Sequence, residues 1–451
     1  MVNPIGKFRE YLPQYRANLR LALPVVLSQV GQVVVQLADN AMVGRLGALP
    51  LAAVSFGGAV FVIFMFWGTG LSLGLTPLVG EAYVRKEYRS AAAFFRHSLV
   101  LYTGVGILLF LLLVLLGAFM DRMGQEPEVV ELARPYFYCL AWSIVPFMVY
   151  TVFKQFLEGI GNTRTGMAVV LASNVINIGL NWVLIYGKLG FPAMGATGAG
   201  LATLIARVCM PLFMVCYCIG NRTVRRYVRL CSAAGYAWRW MRRLLVVGLP
   251  ISMQMVTEVS AFALSSIMMG WIGATELAAY QIVITFGNLA FMMMVGVSTA
   301  TTILVSHEYG AGRIGSMKRT VSASIHLGLA FNFLTMLAFI VFRSRIPLLF
   351  NDDTAVVAVA AQLFVLAGVY QFPDGLQVVL VGALRGMQDV RSVMRYAFVS
   401  YLLVNLPVGY LCAFPLGMGA SGLWIGFIFG LSVAAVLYLR RYRMLVRRLG
   451  T

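Results

Sequence analysis

The chain is written twice. Leu23-Pro24 recurs as Leu249-Pro250, and the offset of 226 residues then holds without a slip through the segments that follow. Met42-Val43-Gly44 answers Met268-Met269-Gly270, Gly47 answers Gly273, and Leu51-Ala52-Ala53 answers Leu277-Ala278-Ala279. Thr76 with Leu78-Val79 and Tyr83 answers Thr302 with Leu304-Val305 and Tyr309. Small insertions then move the register, so that Leu157-Glu158-Gly159 pairs with Leu384-Arg385-Gly386 and the run Met194 to Gly198 pairs with Met418 to Gly422. A duplicated chain has to fold as two similar bodies, and two membrane halves on one plan point to a transporter.

The medium in which these bodies fold follows from composition. Hydrophobic residues make up 60% of the chain, charged residues 11%, and the mean hydropathy is +0.85. A soluble domain carries about a quarter charged residues. Apolar runs of about 20 residues, long enough to cross the hydrocarbon core as a helix, number twelve, centred near residues 30, 65, 105, 145, 176, 208, 257, 291, 331, 370, 404 and 429. The expected fold is an all-α polytopic membrane protein with twelve transmembrane helices in two pseudo-symmetric six-helix lobes. The lobes are expected over residues 1–220 and 244–451, joined by a basic interlobe linker over 221–243. An even number of spans returns each half to its starting side, so both copies insert in one orientation.

A net charge of +19 would suit nucleic acid, but its distribution excludes that reading. With both termini cytoplasmic, 28 of the 35 Lys and Arg residues fall in cytoplasmic segments, six fall in outer loops, and Arg207 alone lies within a span. That is the positive-inside asymmetry of a multi-pass protein, here expected in a bacterial inner membrane. Anionic headgroups of the bilayer satisfy the excess. The six cysteines show no CxxC spacing, so neither a metal site nor a disulfide framework is expected. Only three histidines occur, with no P-loop or zinc motif, so no enzyme chemistry and no cofactor are expected. The first span contains Asp39 and runs into the repeat, so it reads as part of the fold rather than as a cleavable signal. The chain is expected to be a monomer.

Three acids inside the apolar segments escape the repeat. Asp39 stands opposite Ser265, Glu258 opposite Gln32, and Asp374 opposite Phe147. Each would cost about 2.5–3.5 kcal/mol at the centre of a span, so each needs a compensating partner or a titration, which makes it a natural proton or sodium site. Asn174, Asn177 and Asn181 share one helix face through their three- and four-residue spacing. With Asp39 and Thr203 they would give oxygen ligands to a small hard cation; the same stripe would also serve as interhelical glue. Tyr370 and Asp374 are four apart on one face, as are Gln254 and Glu258, which gives a second polar constellation. Met253, Met255, Met292, Met293 and Met294 with Phe286 and Phe291 would supply adaptable surface for organic cations, or would face lipid.

Several stretches resemble one family. LADNAMVGRLGALPLAAVS in the first span, NVINIGLNWVLIYG and MGATGAGLATLIAR in the fifth and sixth, LPISMQMVTEVSAFALSSIMMGWIG in the seventh, and GALRGMQDV after Tyr370 and Asp374 look like the multidrug and toxic compound extrusion family. The resemblance covers essentially the whole chain and is closest to its NorM-like branch, because Glu258 is present. It implies a two-lobed antiporter exporting small cationic amphiphiles against inward flow of sodium ions or protons. By position, Asp39, Asn177, Asn181 and Thr203 match an amino-lobe cation site, and Glu258, Tyr370 and Asp374 a carboxyl-lobe site. Asn181 stands where the archaeal-type branch has a carboxylate, a departure from a purely proton-driven pattern. Gln254, Met253, Phe286 and Met292 are the candidate substrate-cavity residues. A lipid-linked glycan flippase of the same superfamily and a polytopic membrane enzyme are the alternatives; the flippase's phosphate would call for a basic cavity, against which stand three embedded acids and one Arg.

Overall fold

The computed structural model describes residues 4–233, 235–350 and 352–450, and among them no strand occurs. Fifteen α-helices follow one another: α1 Pro4–Gly44, α2 Ala48–Leu73, α3 Leu75–Val84, α4 Tyr88–Ala118, α5 Pro127–Gly159, α6 Arg164–Tyr186, α7 Gly195–Gly220, α8 Arg222–Ala233, α9 Trp238–Ile272, α10 Ala274–Gly310, α11 Ile314–Phe342, α12 Thr354–Gly386, α13 Val390–Phe398, α14 Leu406–Ala413 and α15 Gly419–Leu449. With α2–α3 and α13–α14 each taken as one span, twelve are long and apolar enough to cross a membrane. Each span centre expected from the sequence falls inside one of them. Helix is the form that satisfies every backbone N–H and C=O within the segment, which hydrocarbon demands.

The duplication is visible in the backbone. Helices α5 and α12 are both 33 residues long, and the span Ala48–Val84 matches Ala274–Gly310 residue for residue at 37. Their closing turns have the same hydrogen bonds. Lys86 N–H donates to Tyr83 O at 3.1 Å and Glu87 N–H to Ala82 O at 2.9 Å; Gly312 N–H donates to Tyr309 O at 3.0 Å and Arg313 N–H to Glu308 O at 2.9 Å. Close approaches are duplicated too. A Cβ on Gly159 would lie 2.8 Å from Val79 Cβ and 3.0 Å from Thr76 O, and one on Gly386 would lie 2.8 Å from Val305 Cβ and 2.9 Å from Thr302 O. Small residues let helices pack where hydrophobic burial gives little drive.

The chain divides into two compact units, and the division falls inside helices. One unit comprises Leu27–Ser252; the other comprises Met1–Val26 with Met253–Thr451. Val26 and Ser252 are repeat partners at the offset of 226, so each unit takes the opening part of the other's first helix, and the exchange is reciprocal. The expected cut at 221–243 therefore differs from the observed one. That basic segment holds α8 and the start of α9, both of which belong to the Leu27–Ser252 unit. Tyr227 of α8 packs against Tyr88 and Phe156 with ring centroids 5.8 and 5.4 Å apart. The side chains of Lys7, Arg9, Arg229 and Cys231, which entered the charge and cysteine readings, lie outside the described residues.

Departures from straight α-helix have chemical causes. Pro24, Pro211, Pro250 and Pro373 sit inside α1, α7, α9 and α12, each removing one backbone donor. Pro407 acts differently from these four. It opens α14 immediately after a π-helical stretch over Val399–Asn405. Lacking an N–H, Pro407 returns no hydrogen bond to the preceding turn, and the helix widens there. Such widened turns concentrate at functional sites.

Candidate functional site

The unit over Leu27–Ser252 holds the first polar constellation. α6 presents Asn177 and Asn181 one turn apart, α1 presents Asp39, and α7 presents Thr203 and Arg207 one turn apart. Asn181 Nδ2 donates to Asp39 Oδ1 and also to Asn177 Oδ1 at 3.1 Å. Asn177 Nδ2 donates to Thr203 Oγ1 at 3.2 Å, and that hydroxyl donates to Ala199 O at 3.0 Å. The four residues named from the sequence therefore form one connected chain. Asn177 and Asn181 are fully buried, and Asn181 Oδ1 has no protein donor. An amide oxygen in that state beside a carboxylate suits a cation. Asn174 lies apart from the chain, and its Nδ2 has no protein acceptor.

Arg207 extends this site in a way the sequence reading did not use. Its Nη1 donates to Ser143 Oγ at 2.8 Å, its Nη2 points at Met65 Sδ at 3.7 Å, and its guanidinium lies 4.9 and 5.3 Å from the ring centroids of Phe61 and Phe147. Asp39, Arg207 and Tyr136 are near enough to feel one another's charge. No ion pair joins Arg207 to a carboxylate among the described residues.

The other unit holds the second constellation. Gln377 Nε2 donates to Asp374 Oδ1 at 3.3 Å and to the Tyr401 hydroxyl at 3.2 Å. Tyr401, on the π-helical turn, hydrogen-bonds Glu258. Gln254 Nε2 donates to Glu258 Oε2 at 3.1 Å, and Arg385 Nη2 donates to Gln254 Oε1. The run Arg385, Gln254, Glu258, Tyr401, Gln377, Asp374 is thus unbroken, and both acids receive hydrogen bonds throughout. Asp374 and Gln377 are 2% exposed and Tyr401 1%, whereas Glu258 and Arg385 are half-buried. Tyr370 lies near both acids, with its ring edge-on to Trp424 at 5.5 Å and Phe427 at 6.1 Å.

The cavity residues named from the sequence separate. Gln254 is drawn into the acid network. Phe286 packs into the apolar core against Phe364 and Phe350, with centroids 6.0 and 5.8 Å apart. Met253 is 49% exposed, and Met292 on α10 is partly exposed. Gln377, Tyr401 and Tyr136 were absent from the sequence reading, and Arg385 and Arg207 entered it only through the repeat and the charge distribution, not as site residues. Gln377 could have been found, since it stands three residues after Asp374 on the same face. Among the described residues no group of three or more His, Cys, Asp or Glu side chains is placed to hold a metal ion.

Two bodies on one plan, each with ionisable groups embedded in its spans, define a secondary membrane transporter rather than an enzyme. The MatE family model matches twice, over residues 24–183 and 250–411, starting at repeat-equivalent positions, and the chain belongs to that family. It is 32% identical over 445 residues to the multidrug resistance protein MdtK of Edwardsiella ictaluri, covering 98% of this chain and 97% of that protein. MdtK of Yersinia pestis (strain Pestoides F) is similar to the same extent, 32% over 445 residues with 98% and 97% covered. Among solved structures, a multidrug resistance MATE family transporter of the MOP superfamily in an outward-facing conformation superposes with a TM-score of 0.89 at 22% identity over 97% of each chain. A MOP superfamily transporter from Pyrococcus furiosus gives 0.87 at 21%, again over 97% of each chain.

Proposed function

We propose that this protein exports cationic amphiphiles, drugs or toxic metabolites, across the inner membrane by alternating access, driven by entry of sodium ions or protons at Glu258 and Asp374. The carrying observation is the unbroken hydrogen-bonded run that joins these two acids through Tyr401 and Gln377. A carboxylate at membrane depth is expensive, so its neutralisation by a proton or pairing with a sodium ion changes the energy of its surroundings by more than thermal fluctuation. A network that links both acids to α9, α12 and the π-helical turn passes that change to three helices. A ligand shifts a conformational equilibrium only by its differential affinity for the two states, and the two acids supply that difference for the coupling ion.

Asp39 with Asn177, Asn181 and Thr203 forms the second ion-responsive site in this reading, and Tyr370 completes the carboxyl-lobe one. Both termini and the basic 221–243 segment face the cytoplasm, following the distribution of Lys and Arg. An impermeant thiol reagent applied to intact cells should leave cysteines placed in that segment unlabelled. The deciding experiment uses proteoliposomes loaded with a fluorescent organic cation and challenged separately with sodium and proton gradients. Export stimulated by one gradient and collapsed by its ionophore is expected. Flux indifferent to both gradients would overturn the coupled reading.

A further inference from the structure

Asn332 is fully buried on α11, well inside a span where a polar amide is costly unless it is paired. Its Nδ2 donates to the backbone carbonyl of Gln371 on α12 at 2.6 Å. That carbonyl belongs to the turn that carries Pro373 and Asp374. A Cβ on Gly375, one turn after Gln371 on the same face, would run into Asn332 Nδ2, so the amide fits against a glycine and nothing larger. Pro373 cannot donate to Val369 O, which weakens the helix just where the acid is attached. Asn332 ties that weakened turn to α11. The tie uses only part of what the side chains offer, since Asn332 Oδ1 and Gln371 Nε2 are buried without a partner among the described residues.

The other copy of the repeat shows that a proline at this place needs no such tie. α5 and α12 correspond at an offset of 227 and α4 and α11 at 226, which makes Pro146 the partner of Pro373, Ile144 of Gln371, Met148 of Gly375 and Gly106 of Asn332. There the large and the small residue trade places. Met148 covers Gly106, on which a Cβ would lie 3.2 Å from Met148 Cβ, and the contact is apolar, with Ile144 and Met148 fully buried. The residue after the proline differs as well, Phe147 in one copy and Asp374 in the other. The polar tie therefore accompanies the acid, not the proline. Packing alone would be served by the apolar pair, which strands no polar atom.

We propose that Asn332 is a positioning residue for ion binding: by holding the Pro373 turn of α12 through Gln371 O, it presents Asp374 to Gln377 and so sets the affinity of the carboxyl-lobe site for its coupling ion. It acts through the backbone of the turn and not through the carboxylate. A single hydrogen bond between neutral groups contributes modestly, so the tie holds the turn in register and still yields when α12 moves. The inference rests on the exporter reading, and the test separates the two.

The test transplants the amino lobe's solution into the carboxyl lobe. Asn332→Gly combined with Gly375→Met recreates the Gly106 and Met148 pair, which restores packing without the amide. Stimulated export of a fluorescent organic cation from proteoliposomes is measured against sodium concentration and, separately, against the size of the proton gradient. Affinity for the same dye is measured by fluorescence anisotropy on the full-length protein in nanodiscs. In the double variant the half-saturating level of whichever ion drives wild type should rise about threefold to tenfold, the scale of one neutral hydrogen bond. Maximal rate and dye affinity should stay within about twofold. Asn332→Ala, which leaves only a small void beside Gly375, should show the same rise, and it decides the matter if the double variant does not fold. An unchanged half-saturation overturns the proposal, as does a rise matched by equal losses of dye affinity and maximal rate, since Asn332 then only packs. A wild-type ion response in the double variant defeats this inference alone, whereas wild type indifferent to both gradients defeats the exporter reading and this inference with it.

Discussion

The two lobes share their scaffolding and differ in their chemistry. Gly159 and Gly386 meet repeat-equivalent neighbours at nearly the same distances, and the exchange of segments falls at repeat partners Val26 and Ser252. In contrast, the carboxyl lobe joins two acids in one network while the amino lobe pairs one acid, Asp39, with amides and places Arg207 nearby. Backbone approaches tolerate little change, because a Cβ added at either glycine meets a main-chain oxygen and the neighbouring helix has to move. Side chains lining a polar site carry no such constraint. Duplication followed by divergence at those positions yields two sites with different preferences on one frame.

If the carboxyl lobe does the coupling, its acids cannot be spared. Asp374→Asn keeps the shape and the hydrogen bond from Gln377 on its amide oxygen but removes the titratable charge. Ion-stimulated export should fall about a hundredfold or more, to the unstimulated level, with expression and thermal stability close to wild type. Undiminished stimulated transport in proteoliposomes would break the comparison at its strongest point.

Tyr401→Phe tests whether the two acids act together. It deletes one hydroxyl that accepts from Gln377 and donates to Glu258, leaving both carboxylates in place. Losing a buried hydrogen bond to a charged group is worth about 1.5–3 kcal/mol, so stimulated export should drop about tenfold or somewhat more. The dependence of rate on ion concentration should also flatten, because each acid then responds alone. A rate and a steepness equal to wild type would show that the run through the π-helical turn carries no coupling.

The fold was legible almost entirely, and the reason is physical. Hydrocarbon admits spans of about 20 apolar residues as helices and little else, so the twelve runs translate directly into the spans built from α1–α7 and α9–α15. The acids were legible because charge at membrane depth is rare. What surrounds them was less so. Tyr401 lies in a segment where aromatic residues are common, and its role depends on a widened turn that Pro407 induces and that no periodicity announces. Arg385 had left a trace, since it stands opposite Glu158 in the repeat, but its reach to Gln254 depends on how α9 and α12 pack. The unit boundaries were hidden for a similar reason. Apolar runs mark where a helix crosses, not which neighbours each end chooses.

Asp39→Asn addresses the amino lobe and should have a milder effect. Asn181 loses a charged acceptor, and the site loses its preference for a cation, while the carboxyl-lobe acids remain. Coupling free energies between sites are typically about 1–3 kcal/mol, and a value near the low end would slow the conformational exchange about fivefold without abolishing drug binding. Spin-label pairs, one label in each lobe, report the distance distribution as sodium or pH is varied. An ion-dependent shift in Asp39→Asn identical to wild type would remove the amino lobe from the switching step.

The smallest expected effect tests the shared frame rather than the divergent chemistry. The turn after Val84 places Lys86 at φ 59°, and its repeat partner Gly312 at φ 68°; the turn after Gly159 places Gly161 at φ 85°, and its partner Gln388 at φ 62°. Each turn is left-handed in both copies, yet each copy supplies glycine only once. Left-handed backbone costs an ordinary residue roughly 1–2 kcal/mol, and glycine avoids that while losing about 0.5–1 kcal/mol more chain entropy on folding. Gln388→Gly should therefore stabilise the protein by about 0.5 kcal/mol. Gly161→Gln, the reciprocal change, should destabilise it by a similar amount because it imposes on one lobe the strain that the other already bears. Thermal unfolding of the two variants in the same detergent measures both signs. If Gln388→Gly destabilises and Gly161→Gln does not, the two turns are held by something other than their common backbone geometry.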